Sequence, residues 1–144
     1  MTYVMEQKLV DYINAQRKEA EEFSKQPGCW MGMMPEATDV DYWSERAPCG
    51  TLKGFQRIEL EEGAYYAVAD TYSKSYARCL DLASMTDAEL DKLIDDAVAS
   101  MNREEEERKQ RELQENITRN KMCKDFGVDR ETLDRWLMEA EEAA

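Results

Sequence analysis

Thr86-Asp-Ala-Glu-Leu-Asp-Lys-Leu-Ile-Asp-Asp-Ala-Val-Ala-Ser-Met101 opens with a helix-start signal and continues as a helical stripe. The Thr86 hydroxyl can accept from the amide of Glu89 while the Glu89 carboxylate reaches back to the amide of Thr86, a capping box that satisfies two orphan donors. Leu90, Leu93, Ile94, Ala97, Val98 and Met101 then recur at three- and four-residue spacing, which places them on one side of a helix. The stripe stops at Asn102, and nine of the eleven residues up to Glu112 are charged. Glu104 with Arg108, and Glu107 with Arg111, are i,i+4 pairs in the favourable order, so a solvated helical arm is expected there. Leu113 and Ile117 are expected to re-seat it.

Upstream, Met5, Leu9, Tyr12, Ile13, Ala20 and Phe23 predict an amphipathic helix over residues 2–25, ended by Pro27-Gly28. Residues 26–50 hold all three prolines and alternate them with Trp30, Met31, Met33, Met34, Tyr42 and Trp43. This is a structured apolar loop, with room for one helical turn at Val40 to Glu45. Exposing two tryptophans and three methionines would be costly in so short a chain. The loop is therefore expected to fold over its own core, with Trp30, Met31, Met33 and Met34 partly available as a contact surface. Gly54 to Leu60 reads as a short strand, though one strand without a partner makes no sheet. From Ala64 to about residue 83, Tyr65, Val68, Tyr72, Tyr76, Cys79 and Leu80 return to helical spacing. The expected fold is mainly α: a helical domain over 1–101 with a loop-rich insertion, a charged helical connector over 102–116, and a C-terminal hairpin over 117–144.

That hairpin rests on Met122-Cys-Lys-Asp-Phe-Gly-Val-Asp-Arg-Glu-Thr-Leu-Asp-Arg-Trp-Leu137. Gly127 supplies a turn tolerant of positive φ, Cys123 is a small residue four positions earlier, and Asp129 can cap a second helix. Met122, Phe126 and Val128 are expected to face inward, with Leu133, Trp136 and Leu137 closing the contact. About 20 residues of the 144 resemble the helix-turn-helix units of phage and bacterial regulators, small terminase subunits and transposases. The resemblance implies DNA contact through Arg119, Lys121, Lys124, Arg130 and Arg135. Those five cations stand against Asp125, Asp129, Glu131 and Asp134, a local net of +1, where groove binders carry a clear basic patch. A helical hairpin used for packing or dimerisation is the other reading of the same residues.

The whole chain has 19 basic and 32 acidic residues, no histidine and a net charge of -13. Such a chain repels phosphate backbones and anionic lipid, and basic protein surfaces are its natural partners. No stretch approaches the roughly 20 apolar residues of a membrane span. Cys29, Cys49, Cys79 and Cys123 form no Cys-x-x-Cys pair, and Glu6 and Asp11 interrupt the start of the chain where a secretion signal would be apolar. Buried, reduced thiols and a cytoplasmic location in a bacterial host cell are expected, with no cofactor. Asp39, Asp41 and Glu45 match no calcium-loop spacing. Without histidine the Ser-His and Cys-His nucleophile pairs are excluded, and no phosphate-binding glycine loop is present. A non-enzymatic binding protein is therefore expected.

Two functional classes follow. One is an acidic inhibitor or modulator of a basic nucleic-acid-binding protein or nuclease complex, resembling small phage-type anti-restriction and anti-CRISPR proteins in size, charge and helicity. Its binding residues would be Glu59, Glu61, Glu62, Asp87, Glu89, Asp91, Asp95, Asp96, Glu104, Glu105, Glu106 and Glu107, acting as a nucleic-acid mimic. The other is a homodimeric regulator that binds DNA through the C-terminal unit. A helical assembly or scaffolding role is a third.

Overall fold

The computed structural model describes residues 2–144. It is mainly α, with no strand among the described residues. The chain divides into two compact units, Met1–Asp95, whose first residue lies outside the described part, and Asp96–Ala144.

The first unit begins with an extended segment, and helix α1 (Gln7–Ser24) starts several residues later than the apolar spacing predicts. Backbone pairing explains the delay. Glu6 N–H donates to Gly50 O at 2.8 Å, and the Glu6 carboxylate accepts from Leu52 N–H at 2.8 Å. Tyr3 Oη donates to Ala47 O at 2.7 Å, and burial pushes that phenol above its ordinary pKa. Gly50 has φ +68, and a Cβ there would lie 2.2 Å from Val4 O. Helix α2 (Val40–Arg46) is longer than the expected single turn and is capped by Asp39, whose carboxylate accepts from Tyr42 N–H at 3.2 Å.

Leu9 and Ile13 of α1, Trp43 of α2, Ala47 and Phe55 form the core cluster. Trp43 is 1% exposed; its ring meets Phe55 edge-on at 5.4 Å, and its indole N–H donates to Glu36 O at 2.9 Å. Burying the ring without that acceptor would leave a costly unpaired donor.

The strand expected at Gly54 to Leu60 is instead part of helix α3 (Leu52–Thr71). Thr51 caps it by accepting from Gly54 N–H at 3.1 Å, and Phe55, Ala64 and Val68 fall on its buried side. With no neighbouring strand, only the helix satisfies these backbone groups internally. The helix expected from Ala64 to residue 83 is broken at Tyr72 and Ser73. Ser73 starts helix α4 (Lys74–Cys79) by accepting from Tyr76 N–H at 3.0 Å, and a 3-10 turn follows at Leu82–Ser84.

The capping box forms as its sequence dictates, with Thr86 N–H to Glu89 at 3.0 Å and Glu89 N–H to Thr86 Oγ1 at 3.2 Å. It begins helix α5 (Asp87–Phe126), 40 uninterrupted residues. The boundaries expected near residues 101 and 116 therefore fall inside one helix. Arg108 pairs with Glu105 and Glu112 rather than with Glu104. Gly127, at φ +66, ends α5 and leads to helix α6 (Arg130–Glu142).

Candidate interaction surfaces

The loop between α1 and α2 is anchored at both ends and open in the middle. Ser24 Oγ accepts from Met31 N–H at 3.0 Å and donates to Met31 O at 3.3 Å. Arg17 donates to Met34 O and lies 3.5 Å from Glu36. Gly28, at φ +75, permits the reversal after α1. These ties seat Met34 against the core but carry the preceding residues outward. Trp30 is 82% exposed, and Met31 and Met33 are also exposed. The expectation that this stretch folds over the core is thus corrected for Trp30, Met31 and Met33. Trp43 has taken the core position, because its indole N–H finds an acceptor there and its ring finds Phe55. The flanking elements carry Glu19, Glu21, Glu22, Asp39, Asp41 and Glu45, all exposed, with Lys25 paired to Glu21 at 3.6 Å. The result is an exposed apolar knob on a loop whose flanking segments carry these carboxylates together with the cations Arg17, Lys18 and Lys25.

The acidic clusters are less free than their sequence suggests. Glu59 and Glu62 both face Arg46, at 3.9 and 2.5 Å, and Glu61 lies 2.9 Å from Arg57. Asp87 is 2.5 Å from Arg57, and Glu89 is occupied by the capping box. Glu105 accepts from Arg108 at 2.7 Å, which holds its carboxyl below the usual range, and Glu106 accepts from Gln110 at 3.1 Å. Asp91, Asp95, Asp96, Glu104 and Glu107 are exposed along α5. The structure thus spends several of the candidate carboxylates on its own arginines: Arg57 with Glu61 is a local i,i+4 pair that becomes visible once the segment is helical, whereas Arg46 with Glu59 and Glu62, and Arg57 with Asp87, join different elements and leave no trace in the periodicity.

In the C-terminal unit the turn is built as its residues predict. Asp129 accepts from Thr132 N–H at 2.8 Å, and Val128 N–H donates to Cys123 O at 3.1 Å. Leu133 is 2% exposed, whereas of the two aromatics expected inside Phe126 is largely exposed and Trp136 is about half covered. Arginines do the stapling instead. Arg119 reaches Glu115 at 2.6 Å and Asp134 at 3.2 Å. Arg130 reaches Asp134 at 3.1 Å, Asn120 at 3.0 Å and Asn116 at 2.9 Å. Of the five cations placed on DNA by the resemblance, these two are engaged within the unit, while Lys121, Lys124 and Arg135 are exposed.

The four cysteines are free thiols, but none is fully buried, contrary to expectation; Cys49 and Cys79 are exposed. Cys49 Sγ lies 3.2 Å from Thr51 Oγ1, a hydrogen bond that lowers its pKa from the ordinary 9.0. Among the described residues no three Cys, Asp or Glu side chains gather to hold a metal ion, and no helix is long and apolar enough to cross a membrane. No family model, curated protein or solved structure matches the chain.

Proposed function

We propose that the protein is a non-enzymatic binding protein that modulates a basic, nucleic-acid-handling protein, with Trp30, Met31 and Met33 as its anchor. One observation carries this reading: a tryptophan 82% exposed on a loop fixed by Ser24 and Arg17. Large rigid aromatics dominate binding energy where a partner desolvates them, and adjacent thioethers adapt to an irregular pocket. The loop is already ordered by hydrogen bonds, so little conformational entropy is lost on docking. The net charge of -13 favours a partner whose pocket is rimmed by Lys and Arg, and accelerates encounter with it. Exposed Asp91 and Asp95, on the part of α5 that belongs to the same unit, would add acidic contacts. Inhibition of a nuclease or nucleic-acid-binding complex, in the manner of phage-encoded inhibitors, fits this chemistry.

The test is a nuclease-treated, salt-titrated capture from bacterial lysate, with wild type beside a Trp30→Ala, Met31→Ser, Met33→Ser variant. The reading expects a nucleic-acid-handling protein that is held by wild type, weakens with salt and is lost with the variant. Equal capture by both proteins would reject the loop as the anchor, and DNA recovered alone would favour the regulator reading.

A further inference from the structure

We propose that α5 pairs antiparallel with the α5 of a second copy, along a seam formed by Glu106, Gln110, Leu113, Ile117, Asn120 and Lys124. This surface is distinct from the Trp30 loop, and the proposal stands or falls separately from the function given above.

Unit Asp96–Ala144 is short of a core of its own. Its fully buried hydrophobics are Ala97 and Leu133, while Leu113 is 54% and Ile117 52% exposed. So small a helical unit buries too little apolar surface to be robust without added cover.

The six seam residues alternate spacings of four and three, the register of paired helices, with the apolar Leu113 and Ile117 at the centre and polar residues at the other four positions, and all six are exposed. Read in opposite directions about a two-fold axis between Leu113 and Ile117, the pattern matches itself. Leu113 meets Ile117 of the second copy, and Gln110 meets Asn120, amide against amide. Glu106 meets Lys124, carboxylate against ammonium. On the flank, Glu107 meets Lys121. A parallel pair would instead set Glu106 on Glu106 and Lys124 on Lys124, so charge fixes the orientation.

The residues are available for this role. Lys121 and Lys124 are exposed. Glu106 is held only by Gln110 of the same seam, at 3.1 Å. Asn120 Oδ1 accepts from Arg130 at 3.0 Å, which leaves its amide N–H groups to donate to Gln110 of the second copy. Apart from that bond to Asn120, the α5–α6 contact leaves the seam open. Arg119 and Asp134 bridge one flank of that contact. Ile117 and Trp136 each lie two residues from a member of that pair, roughly 200° around their own helices at 3.6 residues per turn. Both therefore turn away from the bridged flank, and Trp136, 45% exposed, can cover the edge of the seam.

Sedimentation velocity and mixed cross-linking test the proposal on the full chain. Wild type should sediment at twice the monomer mass. A Glu106→Lys, Glu107→Lys variant and a Lys121→Glu, Lys124→Glu variant should each lose the dimer, and their equimolar mixture should regain it. Unchanged circular dichroism of each would show that folding is intact. In a background with Cys29, Cys49, Cys79 and Cys123 changed to Ser, Leu113→Cys mixed with Ile117→Cys should form a disulfide-linked pair that neither forms efficiently alone. The proposal is overturned by a monomeric wild type, by charge variants that remain dimeric, by a mixture that stays monomeric, or by cross-linking of each cysteine variant to itself. Binding of a DNA duplex or another protein by a monomer through Lys121 and Lys124 would overturn it equally.

Discussion

Arg57 Nη1 in the second turn of α3 lies 2.5 Å from Asp87 Oδ1 in the first turn of α5. The same guanidinium bonds Glu61 at 2.9 Å, Leu82 O at 3.2 Å and Met85 O, so one side chain ties together α3, the 3-10 turn and the start of α5. Only a planar fork with several donors serves all four acceptors. Arg57→Lys should therefore lower the melting temperature and speed amide exchange between Leu82 and Leu90. Unchanged exchange in that segment would show that the clasp contributes little.

Phe55 and Trp30 should behave oppositely. Phe55→Ala removes a ring that is 1% exposed at the centre of the core, and should cost about 3–5 kcal/mol in urea unfolding. Trp30→Ser should change stability by about 0.5 kcal/mol or less, as is usual for exposed positions without structural ties. A large loss with Trp30→Ser would mean that the loop is part of the core after all.

Fluorescence quenching by acrylamide gives an independent check on the same contrast. Trp30→Phe should remove a readily quenched component, and Trp43→Phe a protected one. Similar quenching from both positions would contradict the exchange of roles between the two tryptophans.

Much of this arrangement was legible from local chemistry. The Thr86–Glu89 box, the Gly127 turn and the Asp129 cap each depend on residues within a few positions of one another, and each formed. What local chemistry could not supply was the choice between equivalent side chains. Trp30 and Trp43 are the same residue type in one apolar stretch of sequence, and it is the start of α2 at Asp39, with the acceptor at Glu36 O and the facing ring of Phe55, that puts Trp43 inside. The carboxylates of Glu59 and Glu62 are claimed by Arg46, whose position depends on how α2 packs on α3. Gly54 to Leu60 is helical rather than a strand because Thr51, three residues ahead of Gly54, caps a helix start and no neighbouring strand offers backbone partners.

Asp129 offers a pH test of the C-terminal turn. Hydrogen bonds from Thr132 hold its pKa below the ordinary 3.8. Because the folded value is the lower one, the cap stabilises fully above the unfolded pKa of about 3.9 and loses that contribution as pH falls through the folded value. Amide exchange in the first turn of α6 should therefore become less protected on strong acidification. Asp129→Asn, which retains an acceptor without a titrating group, should abolish that dependence, and an identical acid response in both proteins would rule out the cap as its source.

Arg119 and Arg130 separate a structural role from DNA contact. Either residue changed to Ala should loosen α6, seen as faster exchange around Leu133. If DNA is bound at all, Lys121→Ala with Lys124→Ala should reduce its salt dependence without that loosening. A random-site selection at low salt that enriches no motif would close the regulator reading.

Gly50 sets a limit on how this chain can vary. Every other residue would bring a Cβ to the spot that lies 2.2 Å from Val4 O, in a backbone conformation that side chains rarely adopt. Codon changes that exchange glycine for another residue would therefore all meet the same backbone obstacle, regardless of polarity or size. In a saturation-mutagenesis survey the position should be empty of tolerated alternatives, and it would hold the start of the chain against the α2–α3 corner while exposed positions nearby drift.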